Sequence, residues 1–214
     1  MKGEWHDFFR EKNKLLFTKE VFFESMKALN EDLMIYLRHV SKGARILECA
    51  CGPGWTAIPL SHHFNVTAFD RDSGVLESAK KNAREYGKAI RFDEADFFSI
   101  AKKYGENSFD ACSSGGVLEH FEKKDIRRLV DLQLEVAPVV FASMPLEEGG
   151  GKKIENEWGI VKYEYSEEDW LSDILRGYNI IEYRKLPQKP DKMRFREFMA
   201  VIGRKDKPGK ECTM

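Results

Sequence analysis

The sequence has little of what would place it in a membrane, outside the cell or around a metal ion. No apolar run approaches the roughly 18 residues of a membrane-spanning helix. The first residues, MKGEWHDFFREKNK, carry charges where a secretory signal has an apolar centre. Among four cysteines only Cys49 and Cys51 stand close together, so we expect no disulfide framework, no metal site and a cytoplasmic setting with free thiols.

The sequence also lacks an excess of either charge. Lys and Arg number 35 against 36 Asp and Glu, a net charge of -1. Proteins that bind nucleic acid usually carry a clear basic excess, so nucleic acid is a disfavoured partner. With 42% hydrophobic and 33% charged residues, the chain has the composition of an ordinary globular domain rather than of a disordered chain.

The N-terminal part, residues 1–43, is predicted to form a helical cap. From Lys19 to Val40 apolar residues recur every three or four positions, which is typical of a helix with one buried face. Ahead of that helix, Trp5, Phe8 and Phe9 form an aromatic patch. It fits either a terminal helix packed on the core or a lid over a pocket, and the sequence leaves both open.

From residue 44 onward, short apolar runs alternate with helical patterns. The pattern predicts strands at 45–50, 66–70, 89–92, 109–113 and 139–143, and helices at 55–63, 73–86 and 123–136. Such an alternation is typical of right-handed crossovers, and it predicts an α/β fold with a doubly wound, mostly parallel sheet and helices on both faces.

The alternation of predicted strands and helices ends after Met144. Pro145 to Lys162 is rich in glycine and charge and is predicted as a loop, after which Ser166 and Asp169 resemble a capping box. The last two strands, at 179–183 and 195–203, are too close for a helical crossover and should pair antiparallel. A charged tail at 205–214 should fray.

The segment that carries chemistry follows the first predicted strand. It reads ECACGPGW, in which Gly52 and Gly54 let the backbone approach a ligand. In an open parallel sheet, ligands bind beyond the carboxyl ends of the strands where the strand order reverses. Gly52-x-Gly54-x-x-Ala57 also fits a dinucleotide-binding pattern, which by itself is weak evidence.

Acidic residues around this segment indicate whether its ligand is a dinucleotide or S-adenosylmethionine. Glu48, just before the glycines, would repel a pyrophosphate but attract the sulfonium and ammonium groups of S-adenosylmethionine. Asp70 ends the second strand and can accept from ribose hydroxyls. Asp96 can accept from an adenine amino group while Phe97 packs on the base; the alternative for Asp96 is a simple helix N-cap.

With these features the sequence resembles the class I S-adenosylmethionine-dependent methyltransferases. The resemblance lies in ILECACGPGW (46–55), VTAFDRD (66–72), EADFF (94–98) and FDACSSGGVLEHF (109–121), in that order, and it covers about residues 44–203. It implies a seven-stranded sheet whose last strand is antiparallel, in a methyltransferase domain at 44–204 that follows the N-terminal cap or lid.

The resemblance also implies a cofactor, S-adenosylmethionine, and places it residue by residue. Glu48 and the backbone of Ala50, Cys51, Gly52, Pro53 and Gly54 would hold the methionine part, Asp70 the ribose, Arg71, Asp96 and Phe97 the adenine, with Gly115 near the sulfonium. Cys49 departs from the small residue usual at its position. The thiols of Cys49 and Cys51 are expected to be buried under the turn.

Methyl transfer needs a general base only when the nucleophile holds a proton. His120, in LEHF, is the candidate by its proximity to the end of the fourth strand, and the alternative is a structural histidine at a helix start. Ser113-Ser114-Gly115-Gly116 stands where relatives acting on adenine or glutamine amide nitrogens carry Asn-Pro-Pro-aromatic, which argues against those substrates.

The sequence therefore predicts a methyltransferase acting on a small molecule. The connection 185–194 carries Lys185, Lys189, Lys192 and Arg194, from which we hypothesise an anionic substrate. Two alternatives remain open: an NAD(P)-dependent oxidoreductase using Gly52-x-Gly54, and a non-catalytic scaffold of the same fold that binds the cofactor.

Overall fold

The computed structural model describes residues 4–12, 18–19, 32–147, 150–185 and 196–204. Nine strands are present in this part of the chain: β1 (Arg45–Cys49), β2 (Asn65–Asp70), β3 (Arg91–Glu94), β4 (Ala111–Gly115), β5 (Val139–Leu146), β6 (Lys152–Glu155), β7 (Val161–Glu164), β8 (Asn179–Lys185) and β9 (Arg196–Gly203). The α-helices are α1 (Glu4–Glu11), α2 (32–39), α3 (Ala57–Leu60), α4 (Ser73–Glu85), α5 (Ile100–Tyr104) and α6 (Lys123–Val136). A π-helix follows at Asp169–Ile174.

Seven of the strands form one sheet in the order β3-β2-β1-β4-β5-β9-β8. All neighbours pair parallel except β9, which is antiparallel to both β5 and β8. The predicted fold is confirmed, including the antiparallel pair at the end of the chain. Since β1 pairs with β2 on one side and β4 on the other, the strand order reverses beside β1, and a ligand crevice is expected at its carboxyl end.

The central strands of the sheet are largely buried on both faces, which explains why β1, β4 and β5 are predominantly apolar, whereas the edge strands β3 and β8 are partly exposed. Leu47 and Cys49 of β1 lie in one core together with Leu129 of α6. Ile46 points to the opposite core, where Ile35 of α2 packs. The two layers of helices hold β1 rigidly, so the segment that leaves its carboxyl end starts from a fixed position.

The helices follow their local signals closely. The predicted helix at 123–136 is confirmed residue for residue by α6. Ser166 and Asp169 form the predicted capping box, since Ser166 N donates to Asp169 Oδ2 (2.9 Å) and Asp169 N to Ser166 Oγ (3.2 Å). By contrast α3 is only one turn long, because the backbone from Gly52 to Thr56 remains in turns.

Asp72 caps α4, and its removal gives the first testable result. Its Oδ1 accepts from the N–H groups of Gly74 (2.9 Å) and Val75 (3.2 Å). We expect Asp72→Ala to lower the free energy of unfolding, measured in urea, by about 1 kcal/mol, as is usual for a lost N-cap. Asp72→Asn, which can still cap, should stay close to wild type, and equal losses in both variants would contradict the capping role.

The prediction of a loop over Pro145 to Lys162 is wrong. β5 extends to Leu146, and β6 and β7 form an antiparallel hairpin between Lys152 and Glu164. Its turn is built by Asn156, whose Oδ1 accepts from the N–H groups of Trp158 and Ile160, both at 3.0 Å. All four residues of β6 are exposed, so the apolar alternation that marks a strand in sequence is missing.

Some predicted segments lie outside the described residues. They are residues 20–31 of the predicted helix Lys19–Val40, of which 32–39 are helical, the connection from 186 to 195, and the tail at 205–214. In the part that is described, no helix is both long and apolar enough to cross a membrane.

Candidate functional site

The loop after β1 is shaped by three residues in left-handed backbone conformations. Ala50, Gly52 and Gly54 have φ angles of 51°, 54° and 94°. A Cβ on Gly54 would lie 3.1 Å from the Cδ1 atom of Ile58 and would also meet Ala79. Glycine at 54 is therefore required by both backbone conformation and space, which keeps the loop tight against α3 and α4.

Hydrogen bonds from three directions hold this loop. Cys51 N donates to the carbonyl oxygen of Phe69 on β2 (2.8 Å), and Gly54 N donates to that of Cys51 (3.0 Å). From α4, the fully buried Asn82 donates through Nδ2 to the carbonyl oxygen of Pro53 (3.0 Å). Sequence reasoning missed Asn82, although a polar residue on the apolar face of α4 was a usable signal.

Asp70 connects the glycine loop to α4. Its Oδ2 accepts from Gly52 N and its Oδ1 from Asp72 N, both at 3.0 Å. The side chain is 8% exposed, and burial raises its pKa while the backbone hydrogen bonds oppose the rise. A carboxylate has lone pairs beyond these two bonds, so Asp70 can still accept from a ligand's hydroxyls.

Glu48 lies in the interior at the same end of the sheet. It is 2% exposed and pairs in register with Ala68 and Ser113 on the two flanking strands. Burial raises the pKa of Glu48 to about 8, against the smaller lowering effect of a hydrogen bond with Ser113. Its Oε2 has no hydrogen-bond partner among the described residues, which leaves a buried acidic oxygen available to a cationic ligand group.

A tyrosine from α2 completes this buried polar group. Tyr36 Oη and Ser113 Oγ are 2.9 Å apart. The Tyr36 ring is stacked on Phe141 of β5, with centroids 4.1 Å apart. Burial raises the pKa of Tyr36, so its hydroxyl stays protonated and can donate. Tyr36 was not identified from sequence, because its partner is 77 residues away.

The thiols of the loop are buried, as expected. Cys49 is 0% and Cys51 7% exposed, and both are free. Burial raises the pKa of both thiols, with nearby acidic groups adding to the effect. They therefore pack as small apolar groups under the turn.

The three residues expected around an adenine differ in their exposure: Arg71 and Asp96 are exposed, and Phe97 is buried. Arg71 and Asp96 are exposed at the carboxyl edge of the sheet. Asp96 also caps a short 3-10 turn, since its Oδ1 accepts from Phe98 N (2.8 Å). Phe97 is 6% exposed and packs edge-on against Phe69, with centroids 5.5 Å apart. Its ring is therefore part of the core that supports this edge.

Gly115 ends β4 on the other side of the crevice. Among the described residues, a Cβ there would meet only Ser143 of β5, at 3.9 Å, so packed side chains of this part of the chain leave the position open. Backbone at this point is accessible to a ligand lying between β1 and β4.

Helix α1 lies across the glycine loop. The Phe9 ring would be 3.6 Å from a Cβ on Gly52, and it packs edge-on against Trp55 at 5.6 Å. His6 N donates to Asp72 Oδ2 (3.1 Å) at the start of α4. The N-terminal segment thus covers the carboxyl end of β1, the position that a lid would take.

The hairpin β6–β7 reaches the same region from the other side. Trp158, in its turn, contacts Phe8 of α1 with centroids 5.3 Å apart, and Lys12 lies over the same ring at 4.8 Å. Val161 accepts through its carbonyl oxygen from His120 Nδ1 (2.6 Å). Neither contact was predictable while the hairpin itself was read as a loop.

Comparison with known proteins agrees with this geometry. Residues 46–136 match the family model described as a methyltransferase domain. Ribosomal RNA small subunit methyltransferase H of Rickettsia massiliae (strain Mtu5) is 30% identical over 159 residues, which are 67% of this chain and 48% of that protein. The chain spans about half the length of the curated relatives it matches.

Solved structures share the fold. The 1,6-didemethyltoxoflavin-N1-methyltransferase of Burkholderia thailandensis, with bound 1,6-didemethyltoxoflavin and S-adenosylhomocysteine, superposes with a TM-score of 0.68 at 19% identity, covering 94% of this chain and 87% of that one. Magnesium protoporphyrin IX methyltransferase of Synechocystis PCC 6803, with bound S-adenosylmethionine, gives 0.61 at 16% identity, covering 84% and 79%.

Proposed function

We propose that this chain, which carries a methyltransferase domain of the class I, Rossmann-like family, transfers the methyl group of S-adenosylmethionine to a small molecule. The observation that carries the proposal is the pair of acidic side chains at the glycine loop. Asp70 holds the loop through Gly52 N, and Glu48 keeps a buried oxygen without a partner among the described residues. Such a site suits a cationic nucleoside better than a pyrophosphate.

The residues present fit that cofactor. Asp70 would accept from the ribose hydroxyls, Glu48 would attract the ammonium and sulfonium groups, and the backbone from Ala50 to Gly54 would follow the methionine part. Arg71 and Asp96 would flank the adenine, with Phe97 supporting them from below, and Gly115 would lie near the sulfur. S-adenosylmethionine supplies a methyl group already activated on a positively charged sulfur.

The protein's own contribution is then to position the reactants and to exclude water. Within the proposed methyltransferase domain at 44–204, the loop and Asp70 form a fixed floor. The cap formed by residues 1–43 would act as the lid, since Phe9 of α1 packs on Gly52 and Trp55. Closure by α1 and the hairpin would leave the methyl group facing only the bound acceptor.

A small-molecule acceptor fits the enclosed edge of the sheet. Phe8 of α1 and Trp158 of the hairpin meet above it, which leaves little room for a macromolecule, and the net charge of -1 does not favour nucleic acid. Buried, free thiols suit a cytoplasmic location. The anionic-substrate hypothesis gains no support here, because Lys185 pairs with Glu167 (2.7 Å) and the other three cations lie outside the described residues.

The curated relatives supply a second candidate acceptor. They methylate ribosomal RNA by name, and their identity of about 30% keeps an RNA nucleotide open as a substrate. Incubation with tritium-labelled S-adenosylmethionine and a cell extract, fractionated by size and treated with ribonuclease, separates the candidates. Label in small molecules supports the proposal, ribonuclease-sensitive label supports RNA, and no turnover despite cofactor binding supports the scaffold.

Asp70 gives the sharpest test of cofactor binding. We expect Asp70→Ala to weaken the binding of S-adenosylhomocysteine 10- to 100-fold in calorimetry, because a charge-assisted hydrogen bond contributes roughly 1.5–3 kcal/mol. Asp110→Ala serves as the matched control, since Asp110 pairs with Arg45 (2.9 Å) at the opposite end of β1. Equal affinities in both variants would disprove the assignment of Asp70 to the ribose.

A further inference from the structure

His120 has a fixed tautomer. It ends the turn Leu118–His120 that follows β4, and its Nδ1 lies 2.6 Å from the carbonyl oxygen of Val161 on β7. A carbonyl oxygen can only accept, so Nδ1 must carry the hydrogen. In the neutral ring the other nitrogen, Nε2, then carries a free lone pair.

The surroundings of His120 favour the neutral ring. Burial lowers its pKa, the bond to Val161 opposes this, and the positive charge of Lys162 lowers it further. Lys162, on β7, is itself paired with Glu147 (2.6 Å). Glu119 and Glu122 are close to His120 in sequence, and α1 contributes the uncharged ring of Trp5, which packs edge-on against the imidazole. At neutral pH the imidazole is therefore able to take a proton.

A wall of aromatic rings connects His120 to the glycine loop. Trp5 packs edge-on against His120, with centroids 4.9 Å apart, and lies 5.8 Å from Phe9. Phe9 in turn contacts Trp55 at 5.6 Å. These rings come from α1 and from the turn before α3, so contacts run without a break from the general-base candidate to the loop. A planar aromatic molecule is the ligand that such a wall would hold best.

From these contacts, and resting on the proposed function, we infer that His120 is the general base and that the acceptor is an aromatic compound methylated on a phenolic hydroxyl. As the new oxygen–carbon bond forms, the hydroxyl proton passes to Nε2, and the imidazole becomes an imidazolium. The electron pair of the broken carbon–sulfur bond stays on sulfur, which becomes a neutral thioether. The imidazolium then returns its proton to solvent.

A different result is expected if the role of His120 is purely structural. Its role would be to join the turn after β4 to the hairpin through Val161, and an asparagine at 120 can donate to the same carbonyl. His120→Asn therefore keeps the structural bond and removes the base. His120→Ala removes both, so unfolding in urea shows how much the bond contributes.

The experiment uses the full chain and a panel of substituted phenols of graded acidity with tritium-labelled S-adenosylmethionine. With His120→Asn we expect turnover of weakly acidic phenols to fall about 100-fold or more, the usual contribution of a general base. Turnover of 4-nitrophenol, which ionises without help near neutral pH, should fall much less. The wild-type rate should decline as the pH falls below the lowered pKa of His120 and the ring is protonated, and the variant should lack that decline.

One binding measurement and one spectroscopic measurement separate failure of this inference from failure of the proposed function. S-adenosylhomocysteine should bind wild type and His120→Asn within a factor of about two in calorimetry, and no binding to wild type would overturn the proposed function itself. Nitrogen NMR of labelled histidine should show the Nδ1–H tautomer for the signal that disappears in the variant. An Nε2–H tautomer, an equal fall for all phenols, or no methylated phenol despite binding would overturn the inference.

Discussion

Replacing Glu48 by glutamine is expected to raise the free energy of unfolding at pH 8 by about 4 kcal/mol. Burial raises the pKa of Glu48 from its usual 4.5 to about 8 in the folded protein, and each unit corresponds to about 1.4 kcal/mol. The glutamine amide has similar shape and carries no charge, so its variant lacks this pH-dependent loss. An increase of this size is unusual for one substitution.

The sign of the effect follows from the raised pKa. Below pH 4.5 the side chain is protonated in both folded and unfolded states, and no stability is lost. Between pH 4.5 and 8 the unfolded chain ionises while the folded protein does not, so the wild type loses stability as the pH rises. Above pH 8 both states are ionised and the loss levels off. Glu48→Gln should remove this part of the slope.

Urea unfolding at four pH values between 5 and 8.5 measures how the free energy of unfolding of wild type and of Glu48→Gln depends on pH. Glu77→Gln is the control, because Glu77 is exposed on α4 in a pair with Lys80 (2.8 Å) and its removal should change stability little. If wild type and Glu48→Gln lose stability in parallel from pH 5 to pH 8, Glu48 is not protonated in the folded protein.

The same substitution should weaken cofactor binding. A cation bound near Glu48 would favour its ionised form, so binding of S-adenosylmethionine near pH 7 should release a proton. Calorimetry in buffers of different ionisation enthalpy detects that release, and Glu48→Gln should show weaker binding without it. A buried acidic side chain that reduces stability in the free protein is a common feature of functional sites.

Gly54→Ala is expected to have the other large effect. A φ of 94° is strained for any residue with a Cβ, and the new Cβ would come within 3.1 Å of Ile58. We expect a loss of about 2–3 kcal/mol in the free energy of unfolding, in the upper part of the range for a strained backbone. Because the loop must shift to relieve the strain, affinity for S-adenosylhomocysteine should fall at least tenfold.

Gly87→Ala provides a matched control for this substitution. Gly87 also has a positive φ, 63°, but a Cβ there meets no described residue within 4 Å, and it follows α4 at the end remote from Asp72. We expect a loss of about 1 kcal/mol and unchanged affinity. If both variants bind the cofactor like wild type, the glycine loop is not its binding site.

Sequence reasoning performed best where function and fold depend on neighbouring residues. The bounds of α6, the capping box at Ser166 and Asp169, and the antiparallel last strands all follow from local patterns. The same holds for the position of Asp70 at the end of β2. Spacing along one chain segment is enough to predict such features.

Features that depend on distant contacts could not be predicted. Tyr36 meets Ser113 across 77 positions, and His120 meets Val161 across 41. In the hairpin that supplies Val161, β6 is exposed and β7 is only half-buried, so its sequence carries no fully buried face to recognise. The burial of Phe97 against Phe69 likewise depends on the packing of a turn whose sequence suggests a ring packed on the adenine base.

The central claim, that this loop holds a cationic nucleoside without phosphate, is tested most directly by calorimetry of the full chain with two ligands. S-adenosylhomocysteine should bind wild type and bind more weakly to Asp70→Ala, while NADH should give no heat of binding. Binding of NADH with no binding of S-adenosylhomocysteine would contradict the claim and identify the loop as a dinucleotide site.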